Sequence, residues 1–231
     1  MKIVCLDAAT LGSDADLSEI ASLGEFESYE MTGPAQTAQH LAGAGVVITN
    51  KVLIADEIMA QTALKLICVS ATGTNNIDMQ AAQARGIAVK NVAGYSTNSV
   101  VQQTFASLFA LTNALGYYAD YGSSGKWCES EIFTHIDAPI SEIYGKEFGV
   151  IGLGQIGEKV ARIAAAFGAN VRYYSTSGAN DNGEFARVSL DALLRACDII
   201  SIHAPLNEKT AGLIGGAELA KMKEGAILMN F

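Results

Sequence analysis

The run Gly152-Leu153-Gly154-Gln155-Ile156-Gly157 constrains this chain more than any other stretch. It follows Glu147 to Ile151, which has the length and composition of a buried strand, and it opens a helical pattern from Ile156 to Phe167. Between a strand and a helix, each glycine has its own task. Gly152 permits a tight turn, Gly154 lets the backbone approach a diphosphate, and Gly157 lets helix and strand pack closely. Free amides and the positive end of the helix dipole then favour an anion at this point. The pattern predicts a dinucleotide site on a Rossmann-type sheet.

The next strand pattern, Val171 to Tyr174, ends at the position that reads the adenosine ribose. An acidic residue there would accept from both ribose hydroxyls and repel a 2′-phosphate. The chain has Ser175, then Thr176 and Ser177, whose hydroxyls can bond either ribose or phosphate. No adjacent arginine commits the pocket to a 2′-phosphate, and Arg172 lies on the strand and points elsewhere. These residues leave the choice open.

Two α/β blocks surround the motif. Short apolar runs at Ile3 to Leu6, Phe26 to Tyr29, Val46 to Thr49, Leu66 to Val69 and Ile87 to Val89 alternate with helix-like stretches near 35–42, 56–64 and 78–84. Such alternation predicts parallel strands covered by helices. A long helix capped by Ser96-Thr97-Asn98 is expected through Leu115, as a connector ending in the polar patch 121–126. Residues 127–143 show no period. The second block continues after the motif with a polar loop at 175–183, a helix near 190–195, a strand at 198–202, a helical stretch near 217–222 and a strand at 226–229.

Half of the 231 residues are hydrophobic and 17% are charged, enough apolar surface for a sizeable core. A net charge of −9 without a basic cluster argues against nucleic-acid phosphates or an anionic membrane as partners. Cys5, Cys68, Cys128 and Cys197 are far apart and form no C-x-x-C pair, so no metal site or disulfide framework is expected. With no spanning apolar run and no signal peptide, a soluble cytoplasmic protein is expected.

The first block carries Ser70-Ala71-Thr72-Gly73-Thr74-Asn75-Asn76-Ile77-Asp78. A strand ending in small residues leaves amides free for a carboxylate. Read on composition alone, an ordinary strand-to-helix turn is favoured, with Asp78 as N-cap of the next helix.

Several motifs now act together. The Ala71 to Asp78 loop, Asn91 to Val100 with Gln103-Thr104-Phe105-Ala106, Gly145 to Gly157, Leu190 to Leu194, Asp198 to Leu206 and Lys223 to Asn230 resemble, in order, the D-isomer-specific 2-hydroxyacid dehydrogenases. The loop and the Tyr95-Ser96-Thr97 stretch are most similar to the glycerate/hydroxypyruvate and D-lactate branches. The resemblance implies two doubly wound parallel-sheet α/β domains: a flavodoxin-like substrate domain at 1–98 and a Rossmann nucleotide-binding domain at 99–231, the second incomplete. It further implies that amides around Ala71, Thr72 and Gly73 hold the substrate carboxylate and that Thr72 and Thr104 lie near the cofactor. Gln155 and Ile156 would cap the pyrophosphate, Ser175 would meet the ribose, and His203 and Pro205 would line the cofactor cleft. The cofactor would be NAD or NADP, with NAD slightly favoured, the substrate a small 2-keto or 2-hydroxy acid, and the assembly a homodimer through the connector helix and 127–143.

The family's substrate arginine and its glutamate–histidine pair are expected beyond Phe231, as is the segment that completes the first domain. That expectation leaves no catalytic residue in this chain and makes it inactive as it stands. A noncatalytic NAD(H)-binding sensor or corepressor-like module is the alternative.

Overall fold

Parallel pairing of short apolar segments dominates the computed structural model, which describes residues 1–181 and 183–231. Asn182, within the predicted polar loop, lies outside the described residues. The backbone groups into two units, Met1–Tyr95 and Ser96–Phe231.

In the first unit, β1 (Lys2–Cys5), β2 (Glu25–Ser28), β3 (Ala44–Thr49), β4 (Leu66–Val69) and β5 (Ala88–Asn91) form a parallel sheet of order β2-β1-β3-β4-β5. The helices α1 (Ser18–Ala21), α2 (Thr37–His40), α3 (Asp56–Ala60) and α4 (Met79–Ala84) are short. Packing rather than helix propensity must hold such brief helices. Leu41, Met59 and Ala82 join Val4, Leu6, Val47 and Ile67 in one buried cluster. The Asp78 carboxylate accepts from the Ala81 amide at 2.9 Å, so Asp78 is the N-cap that its position suggests.

The second unit starts with α5 (Thr97–Thr112), α6 (Leu115–Ser123) and α7 (Lys126–Glu129). The single long helix expected here is broken: Ala114 takes a left-handed conformation at φ 48° and separates α5 from α6. Periodicity cannot reveal this break, because the apolar spacing continues across it. Then come β6 (Glu147–Ile151), α8 (Gln155–Ala166), β7 (Asn170–Tyr174), β8 (Ala186–Arg187), α9 (Leu190–Ala196), β9 (Ile199–Ile202), α10 (Gly216–Leu219) and β10 (Ile227–Asn230). Their order is β10-β9-β6-β7-β8, again parallel throughout. The unit's first strand, β6, is central; the chain builds outward through β7 and β8, then crosses back to β9 and β10. Ligands of open α/β sheets sit at that reversal, outside the carboxyl ends of the strands. Here it lies between β6 and β9.

Candidate dinucleotide site

Backbone hydrogen bonds fix the glycine turn at the end of β6. The Gly152 amide donates to Tyr174 O at 2.9 Å, and the His203 amide donates to Ile151 O at 2.8 Å, so β7 and β9 hold the turn from both sides. Gly152 has φ +90°, and a Cβ there would approach His203 O to 2.9 Å. A Cβ on Gly157 would overlap the carbonyl oxygen of Gly152 and come within 3.1 Å of Val150 Cγ1. These two glycines are therefore required by the protein's own packing.

Gly154 differs. It is the N-cap of α8 with φ −85° and ψ −166°, and a Cβ on it would meet no protein atom within 4 Å. Its missing side chain keeps space open beside the first turn of a 12-residue helix that has no side-chain cap. Gln155 and Ile156 open that helix. Unfilled space, uncapped amides and a dipole end suit an anionic diphosphate.

Beside the turn lies a cleft of about 700 Å³ lined by Gly152, Leu153, Gly154, Thr176, Ser177, Asn180, His203, Pro205, Asn207, Glu208 and Lys209. Ser175 is buried beneath this lining, where its Oγ accepts from the Gly178 amide at 3.1 Å and tightens the loop. Thr176 and Ser177 line the cleft instead. Asn180, which sequence reasoning did not single out, donates to Leu153 O at 2.5 Å, while its carbonyl accepts from the Tyr173 hydroxyl at 3.0 Å. It thereby ties the ribose-side loop to the glycine turn. Arg172 pairs with Glu147 at the opposite end of β6, as its position on the strand suggests.

His203 is half-buried in the cleft wall, its Nε2 2.8 Å from Ser201 Oγ and its ring nearly parallel to Phe231 at 6.4 Å. Loss of hydration pushes its pKa down to about 4, which keeps the ring neutral at pH 7. Thr104 departs from expectation: it is fully buried, its hydroxyl donates to Val100 O at 2.8 Å within α5, and it does not line the cleft. A threonine bonded back to its own helix has no hydroxyl proton left for a phosphate.

In the first unit, Ala71, Thr72 and Gly73 follow β4 in a loop held by two clamps. Asn91 Nδ2 donates to Thr72 O at 2.7 Å, and the Thr72 hydroxyl donates to Val92 O at 3.1 Å. Among the described residues the amides of Ala71, Thr72 and Gly73 have no acceptor.

Residues 105–231 match the family model described as the NAD binding domain of D-isomer specific 2-hydroxyacid dehydrogenases. The chain belongs to this family. A glycerate dehydrogenase of Methylorubrum extorquens is 37% identical over 231 residues, covering 99% of this chain and 71% of that protein. Two solved structures of the same fold each superpose on all of this chain with a TM-score of 0.82. One is an acyclic imino acid reductase in complex with NADPH and D-Arg, 28% identical and covered over 74% of its length. The other is a D-lactate dehydrogenase from Aquifex aeolicus complexed with NAD and lactic acid, 25% identical and covered over 68%. The second unit is thus the NAD-binding domain of a D-2-hydroxyacid dehydrogenase, with two five-stranded parallel sheets in the chain as the resemblance implied. Among the described residues no helix is long and apolar enough to cross a membrane.

Proposed function

We propose that this chain is an NAD(P)-dependent oxidoreductase acting at C2 of a small D-2-hydroxy acid or the corresponding 2-keto acid. The observation that carries the reading is the uncapped start of α8, opening on a cleft at the sheet's reversal point, with space at Gly154 that no protein atom fills. Amides of Gln155 and Ile156 hold the diphosphate. Thr176 and Ser177 read the adenosine ribose from a turn that Ser175 tightens, and Pro205 and His203 wall the cleft and exclude water. When bound, the dinucleotide supplies or accepts the hydride. The free amides of Ala71, Thr72 and Gly73 hold the substrate carboxylate, as backbone donors do for other anions.

His203 orients and walls rather than donating a proton, since a ring with a pKa near 4 carries none to spare at pH 7. This same observation favours a second reading, a noncatalytic NAD(H)-binding sensor or corepressor-like module. His40 stacks on Tyr29 in the first unit and His135 on Tyr121 near α6, so neither lines the cleft.

The test, run on the protein extended past Phe231 by the segment expected to carry the arginine, glutamate and histidine, is oxidation of NADH and NADPH with hydroxypyruvate, glyoxylate and pyruvate, with the reverse reaction on D- and L-glycerate, beside a dinucleotide titration. Turnover restricted to the D isomer supports the dehydrogenase. Saturable binding without turnover supports the sensor, and no binding removes both readings. We further infer a homodimer through the apolar surface of Leu111, Trp127, Phe133 and Ile136, of which Phe133 is 95% exposed; a monomer in light scattering would refute it.

A further inference from the structure

The loop on the ribose side of the cleft has a cation close to it that the linear sequence hides. Strand β8 is two residues long and pairs with β7 so that Arg187 lies beside Tyr173, two residues before the turn at Ser175. This pairing carries the exposed Arg187 side chain up to the turn: a Cβ placed on Gly178 would lie 3.8 Å from a guanidinium nitrogen. The other four arginines each face a carboxylate, Arg85 on Asp56, Arg162 on Glu158 and Glu184, Arg172 on Glu147, and Arg195 on Asp191. Arg187 has no such partner among the described residues.

The 175–180 turn beside it favours an anion, while the charged residues that line the cleft, Glu208 and Lys209, are opposite in sign. No acidic residue occupies 175–180, the place where a carboxylate would repel a 2′-phosphate. Asp181, the acidic residue that follows, is exposed and makes no ion pair with Arg187, and Glu184 is held by Arg162 at 3.1 Å. Thr176 lines the cleft with a hydroxyl that has no hydrogen-bond partner among the described residues, whereas the hydroxyl oxygens of Ser175 and Ser177 accept from loop amides. An unpaired guanidinium near Gly178 and a free hydroxyl on Thr176, both at the 175–180 turn of a chain of net charge −9, make a local reversal of the field.

We propose that Arg187, with the Thr176 hydroxyl, makes this cleft selective for a dinucleotide carrying a 2′-phosphate, NADP(H) over NAD(H). The proposal rests on the reading of the cleft as the dinucleotide site. It turns the open choice at Ser175 toward NADP.

Isothermal titration with adenosine 2′,5′-bisphosphate and with 5′-AMP isolates the 2′-phosphate from the rest of the cofactor and from turnover. The bisphosphate is expected to bind about 10- to 100-fold more tightly, the worth of one charge-assisted contact, with the advantage shrinking as salt is raised. Arg187→Ala should bring the two ligands close to parity by weakening only the bisphosphate, and Thr176→Asp should reverse the preference. Equal or tighter binding of 5′-AMP by the unaltered protein overturns the proposal, as does an Arg187→Ala variant that keeps the full ratio. If neither ligand binds, the dinucleotide reading of the cleft fails, and this inference with it.

Discussion

Replacing Gly154 and Gly157 by alanine, one at a time, separates ligand space from packing. The backbone of Gly154 is one that any residue adopts, and its Cβ would meet nothing within 4 Å, so Gly154→Ala should leave stability within about 0.5 kcal/mol of the parent. The added methyl occupies the space beside the first amides of α8. Displacing a diphosphate from one charge-assisted hydrogen bond there costs about 1.5–3 kcal/mol, or roughly 10- to 100-fold in dinucleotide affinity. Gly157→Ala should do the reverse. Its Cβ overlaps Gly152 O and crowds Val150, so α8 must move off β6 at a cost of about 1–3 kcal/mol before any ligand is considered. Urea denaturation followed by circular dichroism reads the stability, and NADH and NADPH fluorescence titrations read the affinity. Parental affinity in Gly154→Ala, or parental stability in Gly157→Ala, would refute the assignment of these two roles.

Burial of His203 predicts a pH effect of definite sign. The folded ring takes its proton near pH 4 and the unfolded chain near 6.5, so stability is level above about pH 6.5 and falls as pH drops toward 4, by on the order of 3 kcal/mol in full. An imidazole NMR titration with its midpoint near 6.5 would contradict this. Asp7 is buried and accepts from the amides of Asn50, Lys51 and Val52, so Asp7→Ala should strand those donors and destabilise the first unit by about 3 kcal/mol. Faster hydrogen exchange at these three amides is the readout, and unchanged exchange counts against it. Burial raises the Cys197 thiol to about 11, while Cys128 is exposed. An aromatic disulfide reagent at pH 8 should modify Cys128 first and Cys197 only after unfolding; prompt reaction of Cys197 would be inconsistent with this packing.

Much of the nucleotide unit is legible from Gly152, Gly154 and Gly157, because close packing and close approach leave few alternatives to glycine. The central strands were legible for a related reason: β3 and β6 are buried along nearly their whole length, and parallel strands covered on both faces need continuous apolar runs. Features that depend on a distant partner were not. Strand β8 is too short to show a pattern, so Arg187 reads as an exposed loop cation until pairing with β7 brings it to Gly178. Ser175 was readable as the residue ending β7, but not that its hydroxyl is spent on the turn while Thr176 and Ser177 line the cleft. Asn180 lies in a loop without period; its one signal is that asparagine favours turns where its amide can bond the backbone. Thr104 was named through the resemblance alone, and a matching motif does not tell that its hydroxyl is bonded to the preceding turn of α5.

The central claim is that a dinucleotide occupies the C-terminal ends of β6 and β9. Hydrogen–deuterium exchange with and without saturating NADPH tests it most directly. Protection is expected over Gly152 to Gly157, over 175–180 and over His203 to Lys209, with the Val101 to Phe109 face of α5 unchanged. Saturable binding that leaves the glycine turn unprotected, or that protects the α5 face instead, would contradict it.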